Sequence, residues 1–358
     1  MSVEQMIRES AARLFAGAAD ARLNEQVEAG QFPAALWQQI ESAGFALALT
    51  GGEQGFGLTP AQALPIFTEL GRHRIPAPLA ETAIGLSLLA SAGHPLPAGA
   101  GTLIDTGHAL TLAAHGSTPI LSGHAQAVPW ARHARWALAQ LPQAELAHID
   151  LANAQGVQIE HGLDMAGLPA DTLHLDRVPV QVLRPASAET FAPPMRTLGA
   201  LVHAAMMVGT MQWALDQAVQ YANDRIQFGR PIGKNQALQQ ALAQTAGDVA
   251  SAHMAVQAAG LDLGLNDPAR AAFGVAAAKI RCGEAATRTA AVAHQVLGAI
   301  GFTREHALHF ATRRLWAWRE AWGADAWWAQ RLGQAAIRAG AAAFWPAMTA
   351  RQFTGEPR

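Results

Sequence analysis

The sequence predicts an α+β protein that is mainly α, with an N-terminal helical domain (1–98), a small central β domain (99–192) and a C-terminal four-helix bundle (193–358). Three observations carry this. Apolar residues recur at helical spacing near the start of the chain, the middle changes to short alternating runs, and long Ala-rich periodic segments fill the remainder.

In the first region, Leu36, Ile40 and Phe45, and again Ile66 and Leu70, mark helix faces, broken by the glycine-rich connection TGGEQGFGL at 50–58. In the second, ALTLAA, TPILSG, RWALAQL and TLHLDRVPV read as strands separated by turn residues such as His115-Gly116-Ser117. In the third, segments 197–222, 234–265, 267–297 and 303–345 read as bundle helices, and no internal repeat is present. Residues 197–215 contain no Asp, Glu, Lys or Arg and are long enough to span a bilayer. His203, Gln212 and several Gly and Thr dilute them, so the expectation is a buried bundle helix.

Composition narrows the function classes. Net charge is −2 with 15% charged residues and no Lys/Arg run, which argues against a nucleic-acid footprint or a polybasic membrane patch. The single cysteine, Cys282, excludes an internal disulfide framework and a Cys-rich zinc site. The N-terminus MSVEQMIRESAARLF is amphipathic and lacks the pattern of a signal peptide, so a cytoplasmic location is expected. Common catalytic motifs are missing. GRPIGKN at 229–235 has three residues between its glycines and Asn235 where a phosphate loop needs Ser or Thr; no G-x-G-x-x-G follows a strand, and neither H-E-x-x-H nor G-x-S-x-G occurs. His306 and His309 have no third ligand at a useful spacing, so no metal site is expected.

One stretch, NDRIQFGRPIGKNQAL at 223–238, holds more specific side chains than a helix connection requires. Taken together, Tyr221, Arg225, Gln227, Phe228, Gly229, Pro231, Ile232 and Gln236 resemble the Y-x-x-x-R-x-Q-F-G-x-P-I-x-x-x-Q signature of the acyl-CoA dehydrogenase family. The segment from His294 to Glu305 (HQVLGAIGFTRE) resembles that family's second glycine-rich motif, and Leu36-Trp37 followed by GFALALTGGEQGFGL and ELGRH is similar to its first helical domain.

The resemblance implies an FAD site shared across a subunit interface. Arg225 would pair with the pyrophosphate and Phe228 would pack on the adenine end. Gln227 and Gln236 would supply amide hydrogen bonds, with Gln295 and Gly298 close to the same ADP moiety. An arginine fork suits a diphosphate, and glycine permits close backbone approach. The plainer alternative is that Arg225 is a salt-bridged surface residue and Gly229-Arg230-Pro231 a simple turn. The resemblance also implies an acyl-CoA thioester as substrate, an electron-transfer flavoprotein as electron acceptor, and a dimer or tetramer.

The sequence departs from the family where the chemistry is done. The slot of the usual catalytic glutamate falls on Trp322, and the alternative slot near Gly199 lies in a stretch without acids. Glu320 becomes a catalytic candidate only if the loop shifts by two residues. No counterpart of the family's flavin-ring segment fits between Gly99 and Leu121, and Ala127 and Pro129 stand at its Trp and Thr positions. These losses resemble the weaker partner in α2β2 acyl-CoA dehydrogenases of bacterial steroid side-chain degradation. The Trp-rich tail (Trp316, Trp318, Trp322, Trp327, Trp328) is either interface or bundle core. A self-sufficient homo-oligomer using Glu320 or an unrecognised acid as base, or an interaction protein that has lost flavin, are the alternative readings.

Overall fold

The computed structural model describes residues 3–51, 55–105, 107–116, 118–142, 145–183 and 194–352. The boundary expected at 192, part of the 50–58 connection and Ser117 lie outside the described residues. The helices α1 (Val3–Ala18), α2 (Ala21–Glu28), α3 (Ala34–Ser42), α4 (Pro60–Arg72) and α5 (Leu79–Ser91) precede the strands. Their starts and faces follow local chemistry. Asp20 caps α2 by accepting from the Arg22 N–H at 3.0 Å, and α3 buries Leu36, Trp37 and Ile40 at helical spacing.

The strands are β1 (Gly101–Ile104), β2 (Ala109–His115), β3 (Thr118–Pro129), β4 (Trp136–Gln140), β5 (Leu146–Ile149), β6 (Val157–Glu160), β7 (Ala170–Pro179) and β8 (Gln181–Leu183). They form two four-stranded sheets ordered β1-β4-β5-β8 and β2-β3-β7-β6. Among the described residues, β1 and β4 pair in parallel and the other strand pairs are antiparallel. Ile104, Ala139 and Ile149 from the first sheet and Leu121, Leu173 and Val178 from the second share one core, which is why these strands alternate. Gly101 and Gly85 are required by packing, since a Cβ on either would meet the Trp136 ring at 2.1 and 2.6 Å.

Two compact units are present. One comprises Asp20–Thr59 and Pro76–Gly199, and contains both sheets; the other comprises Met1–Ala19, Pro60–Ile75 and Ala200–Arg358. The second is helical and is built on α6 (Met195–Asp224), α7 (Gln236–Leu263) and α8 (Pro268–Leu297). Asn235 and Asp267 cap α7 and α8, and Pro268 opens α8, where its missing N–H costs nothing. The helix α6 is apolar and long enough to cross a membrane, yet 83% of its most apolar window is buried. Gly71 and Gly209 let α4 and α6 touch backbone to backbone.

The segment expected as one helix from 303 to 345 divides into α9 (Leu308–Glu320), α10 (Asp325–Ala339) and α11 (Ala341–Ala350). The first break is at Trp322 and Gly323, both at positive φ, and the second at Gly340, φ 79°. Glycine in this region of φ ends a helix regardless of the apolar pattern around it.

Candidate functional site

Residues 221–235 fold into a short hairpin between α6 and α7. Strands β9 (Ile226–Gln227) and β10 (Arg230–Pro231) pair antiparallel, and the Ile232 N–H donates to the Arg225 carbonyl at 2.9 Å. Phe228 and Gly229 form the two-residue turn with φ 51° and 77°, the left-handed pair that a tight hairpin requires. A phenylalanine in that conformation is strained, and this one is fully exposed, as is most of Ile226. The hairpin rests on a small core of Ala218, Ala222, Val296 and Leu297, flanked by Tyr221, Ile232 and Leu238.

Across a cleft of about 630 Å³ from the hairpin stands the end of α8. Arg225, Gln227, Phe228, Gln295 and Gly298 all line this cleft, together with Tyr221, Arg230 and Asn235. Gly298 caps α8 at φ 62°, ψ −139°, a conformation that excludes side chains, and open space surrounds its Cα. No acid lines the cleft among the described residues, and the guanidinium groups of Arg225 and Arg230 make no ion pair there. The cleft lining is therefore cationic, with two planar forks of a shape suited to a diphosphate and exposed amides beside them. These residues fit the ADP half of a dinucleotide. Gln236, the first residue of α7, is exposed but is not part of the cleft lining.

Arg230 lies inside the motif at a position its signature leaves open, and the structure adds it to the cleft. Next to the cleft, Phe302 stacks on His294 at 4.3 Å between centroids, and His294 Nε2 is 3.0 Å from Thr312 Oγ1. Phe302, Trp316 and Gln295 line a shallow groove there. His306 Nδ1 accepts from the Leu308 N–H, and His309 Nδ1 contacts the His306 carbonyl, so both histidines serve the start of α9.

The turn after α9 holds no carboxylate at position 322. Trp322 adopts φ 60°, its carbonyl accepts from Trp328 Nε1 at 3.2 Å, and its ring lies 6.1 Å from His203. Beneath it, Lys279 on α8 is almost fully buried and donates to the Trp318 and Ala321 carbonyls at 2.5 and 2.8 Å. Burial pushes the lysine down to about 7, against the opposing pull of Cys282, Glu320 and Asp325. Cys282, one turn on, is pushed up to about 12 by burial. Arg319 forks onto Asp325 at 3.1 and 3.0 Å and ties the end of α9 to the start of α10. Glu320 is exposed at the last position of α9 and lines none of the clefts described here. Lys279 shares α8 with Arg270, Arg281, Glu284 and Arg288, so nothing in the sequence marks it out as the buried charge.

Comparison with known proteins identifies the C-terminal domain. Residues 196–337 match the model of the acyl-CoA dehydrogenase C-terminal domain. Residues 196–337 are therefore an acyl-CoA dehydrogenase C-terminal domain. The acyl-CoA dehydrogenase IpdE2 of Mycobacterium tuberculosis is 28% identical over 319 residues, 87% of this chain and 90% of that protein. The acyl-CoA dehydrogenase FadE34 of the same organism is 36% identical over 182 residues, 48% of this chain but only 24% of FadE34. Among solved structures, the ChsE4–ChsE5 complex from M. tuberculosis superposes with a TM-score of 0.81 over 95% of this chain and 99% of that one, at 19% identity. The acyl-CoA dehydrogenase fold is thus shared along nearly the whole length. Members of this family are FAD-dependent.

In the sheet-bearing unit, Ala127 and Pro129 sit beside an irregularity in β3 between Ala125 and Val128, where Ala127 is exposed at φ 52°. Neither can offer an aromatic face or a hydroxyl to a flavin ring. Of the tryptophans, Trp318 and Trp328 are bundle core and Trp316 is partly exposed.

Proposed function

We propose that this chain is an acyl-CoA dehydrogenase subunit that holds the ADP half of an FAD shared with a second, catalytic chain, and that it supplies no base. The observation that carries this is the acid-free cleft, with its two unpaired guanidiniums below a strained and fully exposed Phe228. A hairpin that spends conformational energy to hold a bare aromatic ring in water is shaped for something outside its own chain. The 2:2 reading is also supported by the fold shared with ChsE4–ChsE5, which is itself a complex of two chains.

FAD, when bound, supplies a two-electron acceptor for α,β-desaturation of an acyl-CoA thioester, and an electron-transfer flavoprotein is the expected recipient of those electrons. The residues of this chain act on binding. Arg225 and Arg230 would hold the diphosphate, Gln227 and Gln295 would offer amides, and Gly298, which has no side chain, would leave its backbone open to the group. Trp322 stands in the place of a base, with its carbonyl held by Trp328 and the preceding carbonyls of Trp318 and Ala321 held by Lys279, so proton abstraction falls to the partner.

Visible absorbance of the protein purified alone, and after co-expression with a dehydrogenase-like partner, tests this. The expected result is a colourless chain that turns yellow only in the complex, with Glu320→Gln leaving turnover of the complex unchanged. A yellow chain that is bleached by an acyl-CoA on its own overturns the proposal, and a loss of that bleaching in Glu320→Gln would return the base to Glu320.

A further inference from the structure

His294 lies in the last turn of α8, beside the cleft but outside its lining. Its neighbour Gln295 and the first three residues of the turn Gly298–Phe302 do line the cleft. Three contacts join His294 to that turn and to α9. Its carbonyl accepts from the Gly298 N–H, its ring stacks on Phe302 at 4.3 Å between centroids, and Nε2 lies 3.0 Å from Thr312 Oγ1. Gly301 packs on the other ring nitrogen, where a Cβ would come within 3.3 Å of Nδ1.

The hydrogen bonds assign the proton on this ring. Thr312 Oγ1 donates to the Leu308 carbonyl at 3.2 Å, so toward His294 it offers a lone pair, and Nε2 carries the N–H. Nδ1 is buried and has no hydrogen-bond partner. A bare lone pair is tolerated there, whereas a buried N–H without an acceptor costs its full desolvation. Electrostatics act in the same sense. Burial, then His306 and His309, push the ring below its usual 6.5, and no carboxylate among the described residues offsets them. His306 is itself pushed down by burial, and then by Arg74 and His309.

We propose that neutral His294 is the positioning residue of the cleft, holding Gln295 and Gly298 in their binding geometry through Thr312 and Phe302 and releasing them when Nδ1 takes a proton. For its ligand the proposal rests on the shared-FAD reading; for its geometry it does not. A protonated ring has to turn Nδ1 toward an acceptor, which breaks the bond to Thr312 and the stack on Phe302. Phe302 is 73% exposed, so little else packs on it once the stack is lost. Gly298, with open space around its Cα, is the point at which the turn then swings. The fold favours the neutral ring, so the positioning is complete above 6.5 and is lost as pH falls through the lower value of the folded state.

Two measurements from about pH 8 to about pH 5 test this: hydrogen exchange of the amides from Val296 to Thr303 in the chain alone, and flavin affinity of the complex with its dehydrogenase-like partner. In the wild type, protection corrected for intrinsic rates and flavin affinity should each fall about tenfold per pH unit once the ring titrates. His294→Gln places an amide N–H near the position of Nε2 and does not titrate, so each quantity should stay within about twofold across the range. His294→Ala should lower both at every pH, with H294Q recovering the larger part. Thr312→Val removes the acceptor and should give the acid exchange pattern already at about pH 8. Wild-type protection that ignores pH, an H294Q chain that falls in parallel with the wild type, or a T312V chain that exchanges as the wild type does would overturn the inference. So would a segment that opens in acid while flavin affinity stays constant. A complex that holds no flavin at any pH overturns the shared-FAD reading alone, because exchange in the free chain still decides whether His294 governs the turn.

Discussion

Lys279 Nζ donates to the Trp318 carbonyl at 2.5 Å and to that of Ala321 at 2.8 Å, so one buried lysine closes the C-terminus of α9 just before the Trp322 turn. Two carbonyls match the two N–H bonds of a neutral amine. Burial holds the group at about 7, below its ordinary 10.5. Between those values the unfolded chain binds a proton that the folded chain does not. The contribution of this group is therefore full above 10.5 and is lost as pH falls through about 7. Lys279→Met removes that dependence and leaves two carbonyls without donors, at a cost of about 2 kcal/mol that is complete above 10.5, where the lysine is neutral in both states, and that shrinks toward neutrality. Melting temperatures of wild type and variant across this range should diverge toward high pH; parallel curves would mean that the lysine stays charged.

Arg225 can be removed with little effect on the fold, because it is exposed and makes no ion pair among the described residues. Arg225→Gln should shift the stability of the chain by less than about 0.5 kcal/mol. Flavin affinity of the complex should fall by about 1.5–3 kcal/mol, the range of a hydrogen bond to a charged group. Arg225→Lys should recover only part of this, since a point charge cannot fork onto two phosphate oxygens. Equal affinities of wild type and R225Q by equilibrium titration would remove Arg225 from the site.

Phe228 makes a prediction of opposite signs. Its left-handed backbone costs about 1 kcal/mol that a glycine would not pay, and its exposed ring gives the isolated chain no packing in return. Phe228→Gly should raise the denaturation midpoint of the chain alone while weakening flavin binding or assembly with the partner. If both properties fall, the ring is packed within its own chain and the cross-chain role fails.

Gly298 separates backbone from space. A Cβ there would meet nothing within 4 Å, so any penalty in Gly298→Ala arises from φ 62°, ψ −139° alone. Destabilisation of about 1–3 kcal/mol in urea titration is expected. A neutral substitution would show that the end of α8 relaxes freely.

How far the sequence revealed this arrangement depends on the distance over which each signal acts. The helices and the two sheets are written in local periodicity, and the caps Asn235 and Asp267 stand directly before α7 and α8. The cleft was legible because its two halves are short contiguous motifs, 221–235 and 295–300. Arg230 escaped notice because its role depends on which residues fail to pair with it. The breaks at Trp322 and Gly340 were hidden under continuous apolar patterning, and Lys279 acts on carbonyls about forty residues away, a relation that no periodicity encodes.

Glu81 extends the pH argument to the sheet-bearing unit. It lies in the first turn of α5 with 5% exposure, and burial pushes its carboxyl up to about 7, helped by Asp164 and opposed by its own backbone hydrogen bond. The folded value lies above the unfolded 4.5, so the neutral acid is the form the fold prefers. Its contribution is complete below 4.5 and is lost as pH rises through about 7. Glu81→Gln keeps the shape and stays neutral at every pH. The variant should therefore match or fall slightly below the wild type at pH 4.5 and exceed it at about pH 8, where the wild type alone must ionise a buried group or carry a proton against the solvent. Urea midpoints at the two pH values decide it, because a wild type that gains as much as E81Q over that interval would place an ionised carboxylate at position 81.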